Sequence, residues 1–151
     1  MPQSLIATYT HIVFSTRERI PFLSDPILRG RLFAGLAAIS NGLECQTVVV
    51  GGIADHVHLL ARQSPKMCVS DWVRDLKSRS TPFLKRQGSD LALFSWQAGY
   101  GAFSVSASEL TSVRRYIEGQ EEHHRQESFQ DEFRRFLREH DLEWDERYVW
   151  G

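Results

Sequence analysis

The feature that most constrains the fold is an order of local patterns. Twice along the chain, apolar residues change from alternate-residue spacing to helical spacing and back. Residues 5–14 are rich in β-branched and aromatic types and read as a strand, with Thr10, Ile12 and Phe14 on one face and Tyr9, His11 and Val13 on the other. Asp25 followed by Pro26 is a helix start, Leu28, Leu32, Leu36 and Ile39 keep helical spacing with Phe33 beside them, and Asn41-Gly42 ends the run. Residues 44–50 and 55–62 read as two strands of a hairpin, with Gly51-Gly52 as the turn signal. Ser70 or Asp71 caps a second helix whose apolar positions are Trp72, Val73, Leu76, Phe83 and Leu84. Pro82 predicts a kink or break there, because it lacks an amide hydrogen and crowds the preceding turn. Residues 88–98 read as a loop and 100–106 as a fourth strand. The order strand–helix–strand–strand–helix–strand predicts an α+β sandwich of the ferredoxin or RNA-recognition (RRM) type.

Beyond the fourth strand, Ser106-Ala107-Ser108-Glu109 fits a capping box opening a third helix, with Leu110, Val113 and Ile117 toward the core. Gly119 inside it costs about 1 kcal/mol relative to alanine and marks a close approach or a weak point. Phe129, Phe133, Phe136 and Leu137 make a fourth, amphipathic helix. The tail carries Leu142, Trp144, Tyr148 and Trp150, which predict docking on this subunit or on a partner. We expect one domain over residues 1–151, with a C-terminal helix and aromatic tail from about residue 127.

Cys45 and Cys68 stand in no metal or redox spacing, so a reducing cytoplasm is the simplest expectation. No signal peptide and no apolar run of membrane-spanning length is visible, so no membrane partner is expected. The net charge of −1 does not advertise a nucleic-acid binder. Its distribution is uneven: residues 1–117 hold 13 Lys/Arg against 8 Asp/Glu, and residues 118–151 hold 5 against 11. The basic excess within 62–86 could supply phosphate contacts, or be the solvated face of a helix.

Two short patterns carry chemistry. In Asp55-His56-Val57-His58, the two histidines share one strand face, so both imidazoles can converge on one metal. In Tyr116-Ile117-Glu118-Gly119-Gln120, Tyr116 and Gln120 stand four apart and travel on one helix face. Two imidazoles, an amide oxygen and a phenol are the parts needed for metal-assisted attack on a phosphodiester by tyrosine. Two nitrogens and an amide oxygen leave positions open for phosphate oxygens and water. The mixed set accepts Mg²⁺ or Mn²⁺, with Mn²⁺ tolerating imidazole better and Zn²⁺ a further candidate. Asp55 either orients a histidine or serves as a turn residue.

With these residues the chain resembles the single-tyrosine HUH transposases of small bacterial and archaeal insertion sequences, the REP-associated tyrosine transposase-like superfamily. His56-Val57-His58 matches the motif of two histidines around a bulky apolar residue, and Tyr116 and Gln120 match the nucleophile and third metal ligand. His11-Ile12-Val13-Phe14, Val73-Arg74-Asp75-Leu76-Lys77, Phe94-Ser95-Trp96-Gln97, the run from Gly99 to Ser104 and Gln120-Glu121-Glu122-His123-His124 are also similar. The resemblance implies an antiparallel four-stranded sheet with helices packed on one face and the active site on a central strand. It implies single-stranded DNA cleavage and joining through a 5′-phosphotyrosine on Tyr116, with a divalent metal on His56, His58 and Gln120.

His11, His123 and His124 are auxiliary candidates at the site. Arg74, Lys77, Arg79 and Lys85 are candidate DNA contacts, and Trp96 and Phe103 could stack on bases, though core packing is the commoner role for both. The implied partners are single-stranded DNA hairpins at element ends and a second copy of the chain, giving a homodimer with composite sites in trans. A monomer with the site in cis is the plainer alternative. A domesticated endonuclease that processes palindromes and a non-catalytic RRM-like binding module are the competing functional readings.

Overall fold

A computed structural model describes residues 2–151. The elements run β1 (Tyr9–Ser15), α1 (Pro26–Gly42), β2 (Gln46–Ile53), β3 (His56–Arg62), α2 (Val69–Lys85), β4 (Gly101–Val105), α3 (Leu110–Glu118), α4 (Gln120–His123) and α5 (Phe129–Glu139). The four strands form one antiparallel sheet in the order β2-β3-β1-β4. This is the expected α+β arrangement. It places β3, with its two histidines, in the interior of the sheet, flanked by β2 and β1.

Alternation sorts the strand residues onto two faces. Ile12, Phe14, Val57, Leu59 and Ala61 point to the first, where they join Leu28, Leu32 and Leu36 of α1 and Trp72, Val73, Leu76 and Leu84 of α2 in one buried cluster. The expected helical layer on one face is therefore α1 and α2. The second face carries His11, Val13, His56, His58 and Phe103. Phe129, Phe133, Phe136 and Leu137 of α5 cover Val13 and Phe103 on it, and Trp144 and Trp150 pack against them. The tail thus docks on its own subunit through these residues, while Leu142 and Tyr148 stay exposed.

Several local expectations need correction. The first strand starts at Tyr9, since the apolar Leu5 and Ile6 stand exposed ahead of it. Gly51-Gly52 is the end of β2, and the hairpin turns at Ala54-Asp55. Both glycines are required by close approach. A Cβ at Gly51 would lie 2.5 Å from the Ile117 carbonyl oxygen, and one at Gly52, where φ is +155°, 2.2 Å from that of His56. Helix α2 starts after Cys68 rather than at Ser70 or Asp71, and it runs through Pro82 to Lys85. Proline is tolerated because it lies in the last turn, where a single carbonyl loses its helical partner, while Leu84 just beyond it stays in the core.

The capping box at Ser106 does not form. A 3₁₀ turn over Ala107–Glu109 intervenes, and Ser106 Oγ pairs with Ser108 Oγ at 3.1 Å. Gly119 proves a weak point rather than a close approach: it separates α3 from α4, and a Cβ there would meet only ordinary contacts from 3.4 Å.

Candidate active site

His56 and His58 project side by side from β3, fully buried, with ring centroids 5.0 Å apart. Their neighbours across the sheet leave room for what comes over them. His58 is flanked by Val13 on β1 and by Gly51 on β2. Because Gly51 has no side chain, α3 lies directly on β2 through Ile117. That contact brings Tyr116 and Gln120, one residue before and three after Ile117, over the histidines. Gln120 Oε1 lies 3.1 Å from His56 Nε2, and the Tyr116 ring centroid lies 6.1 Å from that of His58.

Helix α5 supplies what the sequence reading did not name. Glu132, fully buried, stands at the centre of the cluster. Its Oε1 lies 3.0 Å from His58 Nε2, 3.2 Å from His124 Nε2 and 3.4 Å from His56 Nε2. Its Oε2 accepts hydrogen bonds from the Tyr116 hydroxyl and, at 3.2 Å, from Gln120 Nε2. Arg135, one turn further along α5, donates to the Tyr116 oxygen at 2.9 Å. A signal for Glu132 was present in the sequence: Phe129, Glu132, Phe133, Phe136 and Leu137 follow one helical stripe, so a carboxylate occupies a core position.

The donor set suits a cation. His56 directs Nδ1 to the Asp55 carboxylate at 2.8 Å, and His124 directs Nδ1 to the Glu127 backbone carbonyl at 2.6 Å. Each must donate there, so each turns Nε2 inward. His124 Nε2 then faces two acceptors, Gln120 Oε1 at 2.9 Å and Glu132 Oε1 at 3.2 Å. A lone pair aimed at two oxygens is repulsive unless a proton or a metal lies between them. His56, His58, His124 and Glu132 each offer one ligand atom, all within 4.8 Å of one another, and together could hold a metal ion. Three imidazoles and a carboxylate fit a first-row divalent ion, with the Gln120 oxygen in reach.

Charge in the site is uneven. Burial pushes His56 down, but Asp55 and Glu132 outweigh it and raise its pKa to about 9. Burial dominates at His58 and lowers it to about 4, leaving a neutral imidazole at physiological pH. Burial would raise Glu132, yet His58, His124 and His56 together hold it ionised, well below the usual carboxylate range. Tyr116 is raised by burial and by the Glu132 charge.

His11 lies behind His58, its Nε2 2.8 Å from His58 Nδ1, and is buried away from solvent. His123 pairs with Glu127 at 2.7 Å beside the cluster. Arg74, Lys77, Arg79 and Lys85 all lie on α2, which packs on the opposite face of the sheet. Arg74 bonds Asp71 and Asp75, and Arg79 pairs with Asp75. Lys77 donates to the carbonyls of Gln97, Ala98 and Gly99, and burial lowers its pKa to about 8. Trp96 and Phe103 are core residues.

The family model described as "Transposase IS200 like" matches residues 4–120. The chain belongs to the IS200-like transposase family. Membership makes it a DNA-processing enzyme of the transposition class. The curated ISDra2 transposase TnpA of Deinococcus radiodurans is 34% identical over 121 residues, spanning 73% of this chain and 81% of that protein. A crystal structure of a candidate transposase from Deinococcus radiodurans R1 superposes with a TM-score of 0.59 at 24% identity, covering 80% of this chain and 96% of that one. The REP-associated tyrosine transposase, solved bound to a REP hairpin, shares the fold with a TM-score of 0.55 at 12% identity, over 79% of this chain and 70% of that one. The family match contains His56, His58, Tyr116 and Gln120, whereas His124, Glu132 and Arg135 lie beyond it.

Proposed function

We propose that this IS200-like transposase cuts and rejoins single-stranded DNA, with Tyr116 as the nucleophile. One observation carries the reading. A single buried carboxylate, Glu132, touches both the Tyr116 hydroxyl and the inward nitrogens of His56 and His58, so nucleophile and ligand set are one connected unit. His56, His58 and Gln120, joined by His124 and Glu132, are the residues that would hold a divalent metal. We assign Mn²⁺ or Mg²⁺, with the imidazole-rich set favouring Mn²⁺. When bound, such an ion polarises a phosphoryl oxygen and neutralises its developing charge.

The chain's own residues orient the attack. Asp55, His11 and the Glu127 carbonyl fix the three imidazole rings from outside. Glu132 and Gln120 align the tyrosine with them. Tyr116 attacks phosphorus in line, the DNA 3′ hydroxyl leaves, and a 5′-phosphotyrosine conserves the bond for joining. Hairpins in single-stranded DNA are the proposed substrate. The solved REP-associated relative, whose bound partner is a hairpin, supports that choice.

We place the site in cis, because one chain supplies every member of the set. A homodimer with sites in trans is the second arrangement; the exposed Leu142 and Tyr148 of the tail give it a surface to use. The functional test is direct. Purified protein with Mn²⁺ and hairpin-bearing single-stranded DNA should form a denaturation-resistant adduct carrying a 5′ phosphate on tyrosine, and Tyr116→Phe should form none. An adduct of full yield in the Phe variant would remove the assignment.

A further inference from the structure

We infer that Arg135 is a catalytic residue whose guanidinium holds the Tyr116 oxygen and stabilises its charge as it attacks the phosphodiester. The inference rests on the tyrosine chemistry proposed above and adds a group outside the residues that the family match covers. The Tyr116 hydroxyl has one proton and two lone pairs. The proton is donated to Glu132 Oε2, and one lone pair accepts from Arg135 Nη2 at 2.9 Å. The second lone pair is left for phosphorus. Glu132 and Arg135 stand three residues apart on α5, so one helix face presents both to the same oxygen.

The guanidinium is also held in place. Nη2 donates to Glu127 at 3.2 Å and Nη1 to Glu139 at 3.3 Å. Its carbon lies 5.6 Å from the Tyr116 ring centroid and 5.0 Å from that of Phe136. A charge fixed before the reaction stabilises a developing anion without reorganising. Arginine keeps that charge at any working pH. The same contacts argue against a second metal at His123, Glu127 and Glu132: Glu127 Oε1 already serves both His123 and Arg135.

The step balances without a redox partner. The Tyr116 Oη–P bond forms as the P–O3′ bond breaks. The phenolic proton leaves along its hydrogen bond toward Glu132 Oε2 into solvent, and the departing 3′ oxygen takes up a proton from solvent.

The test uses full-length protein, Mn²⁺ and a pool of single-stranded oligonucleotides carrying a hairpin beside randomised bases. Single-turnover adduct formation, hairpin affinity and Mn²⁺ affinity are measured for wild type, Arg135→Met and Arg135→Lys, each checked for folding by thermal melting. Arg135→Met should slow adduct formation about 100-fold. It should change hairpin affinity by less than about tenfold and leave Mn²⁺ affinity unchanged. Arg135→Lys, keeping the charge without the fork, should recover part of the rate. Equal or faster adduct formation in a folded Met variant overturns the inference and leaves the function standing. Loss of rate matched by an equal loss of hairpin affinity also overturns it, making Arg135 a DNA-binding group. No adduct from wild type overturns the function and the inference together.

Discussion

Glu132 decides the site at the level of single residues. It is a full negative charge with no solvent, met by the imidazoles around it and by hydrogen bonds from Tyr116 and Gln120. Removing it strands the protonated His56 and the buried donors of Tyr116 and Gln120, so Glu132→Ala should destabilise the metal-free protein by about 3–5 kcal/mol. Glu132→Gln should weaken Mn²⁺ binding by more than about tenfold. Calorimetric titration checks the affinity and a thermal melt the stability; wild-type values in both would remove Glu132 from the ligand set.

The histidines set a pH dependence for the metal-free fold. His58, lowered from 6.5 to about 4, stays neutral in the folded state while the unfolded chain takes up a proton, so stability falls as pH drops below 6.5. His11, also lowered, adds to that loss. His56, raised from 6.5 to about 9, holds a proton that the unfolded chain releases, so its contribution is full below 6.5 and is lost as pH rises toward 9. Lys77, lowered to about 8, works in the opposite sense above that pH. Denaturant midpoints in the presence of a chelator should therefore peak near pH 6.5 and decline toward pH 8. A steady rise across that interval would contradict the protonated, buried His56. Metal binding must displace the same proton, so Mn²⁺ affinity should climb with pH up to about 9.

Among the elements, two glycines in or beside the tyrosine region have opposite standing. Gly51 lets α3 rest on β2, and an added Cβ would press into the backbone of Ile117 at 2.5 Å. Gly51→Ala should cost about 1–3 kcal/mol and shift Tyr116 and Gln120 off the histidines. Gly119, with φ of −94° and only ordinary contacts from 3.4 Å for an added Cβ, has no such duty. Gly119→Ala should be neutral or stabilise by up to about 1 kcal/mol, by joining α3 to α4. Melting temperatures and adduct yields of the pair test this directly: a harmful Gly119→Ala beside a silent Gly51→Ala would invert the reading.

For the whole molecule, the cis arrangement proposed above predicts the outcome of a mixing experiment. Two inactive proteins, His56→Ala/His58→Ala and Tyr116→Phe, can be mixed under conditions of confirmed subunit exchange. With sites in cis every site keeps one defect, and no cleavage should return. Recovered cleavage would show a site shared in trans. The described residues contain no helix long and apolar enough to cross a membrane. The tail's two tryptophans are partly buried against the α5 cluster, and the Arg19 and Arg134 guanidiniums lie 5.9 and 5.0 Å from the Trp150 ring centroid.

Residue patterning carries local information. Period-two and helical spacing, together with the Asp25-Pro26 start and the Asn41-Gly42 stop, fixed the identity and order of the elements, because side-chain periodicity is a property of neighbouring residues. The shared face of His56 and His58 followed from the same rule. Pairing Tyr116 and Gln120 with those histidines needed the family resemblance, since nothing local joins residues 58 and 116. The roles of Glu132 and Arg135 emerge from the packing of α5. A charged residue in a helix pattern reads as solvent-facing, and its burial depends on α5 folding back over the second face of the sheet. That packing turns a break in an apolar stripe into the carboxylate at the centre of the site.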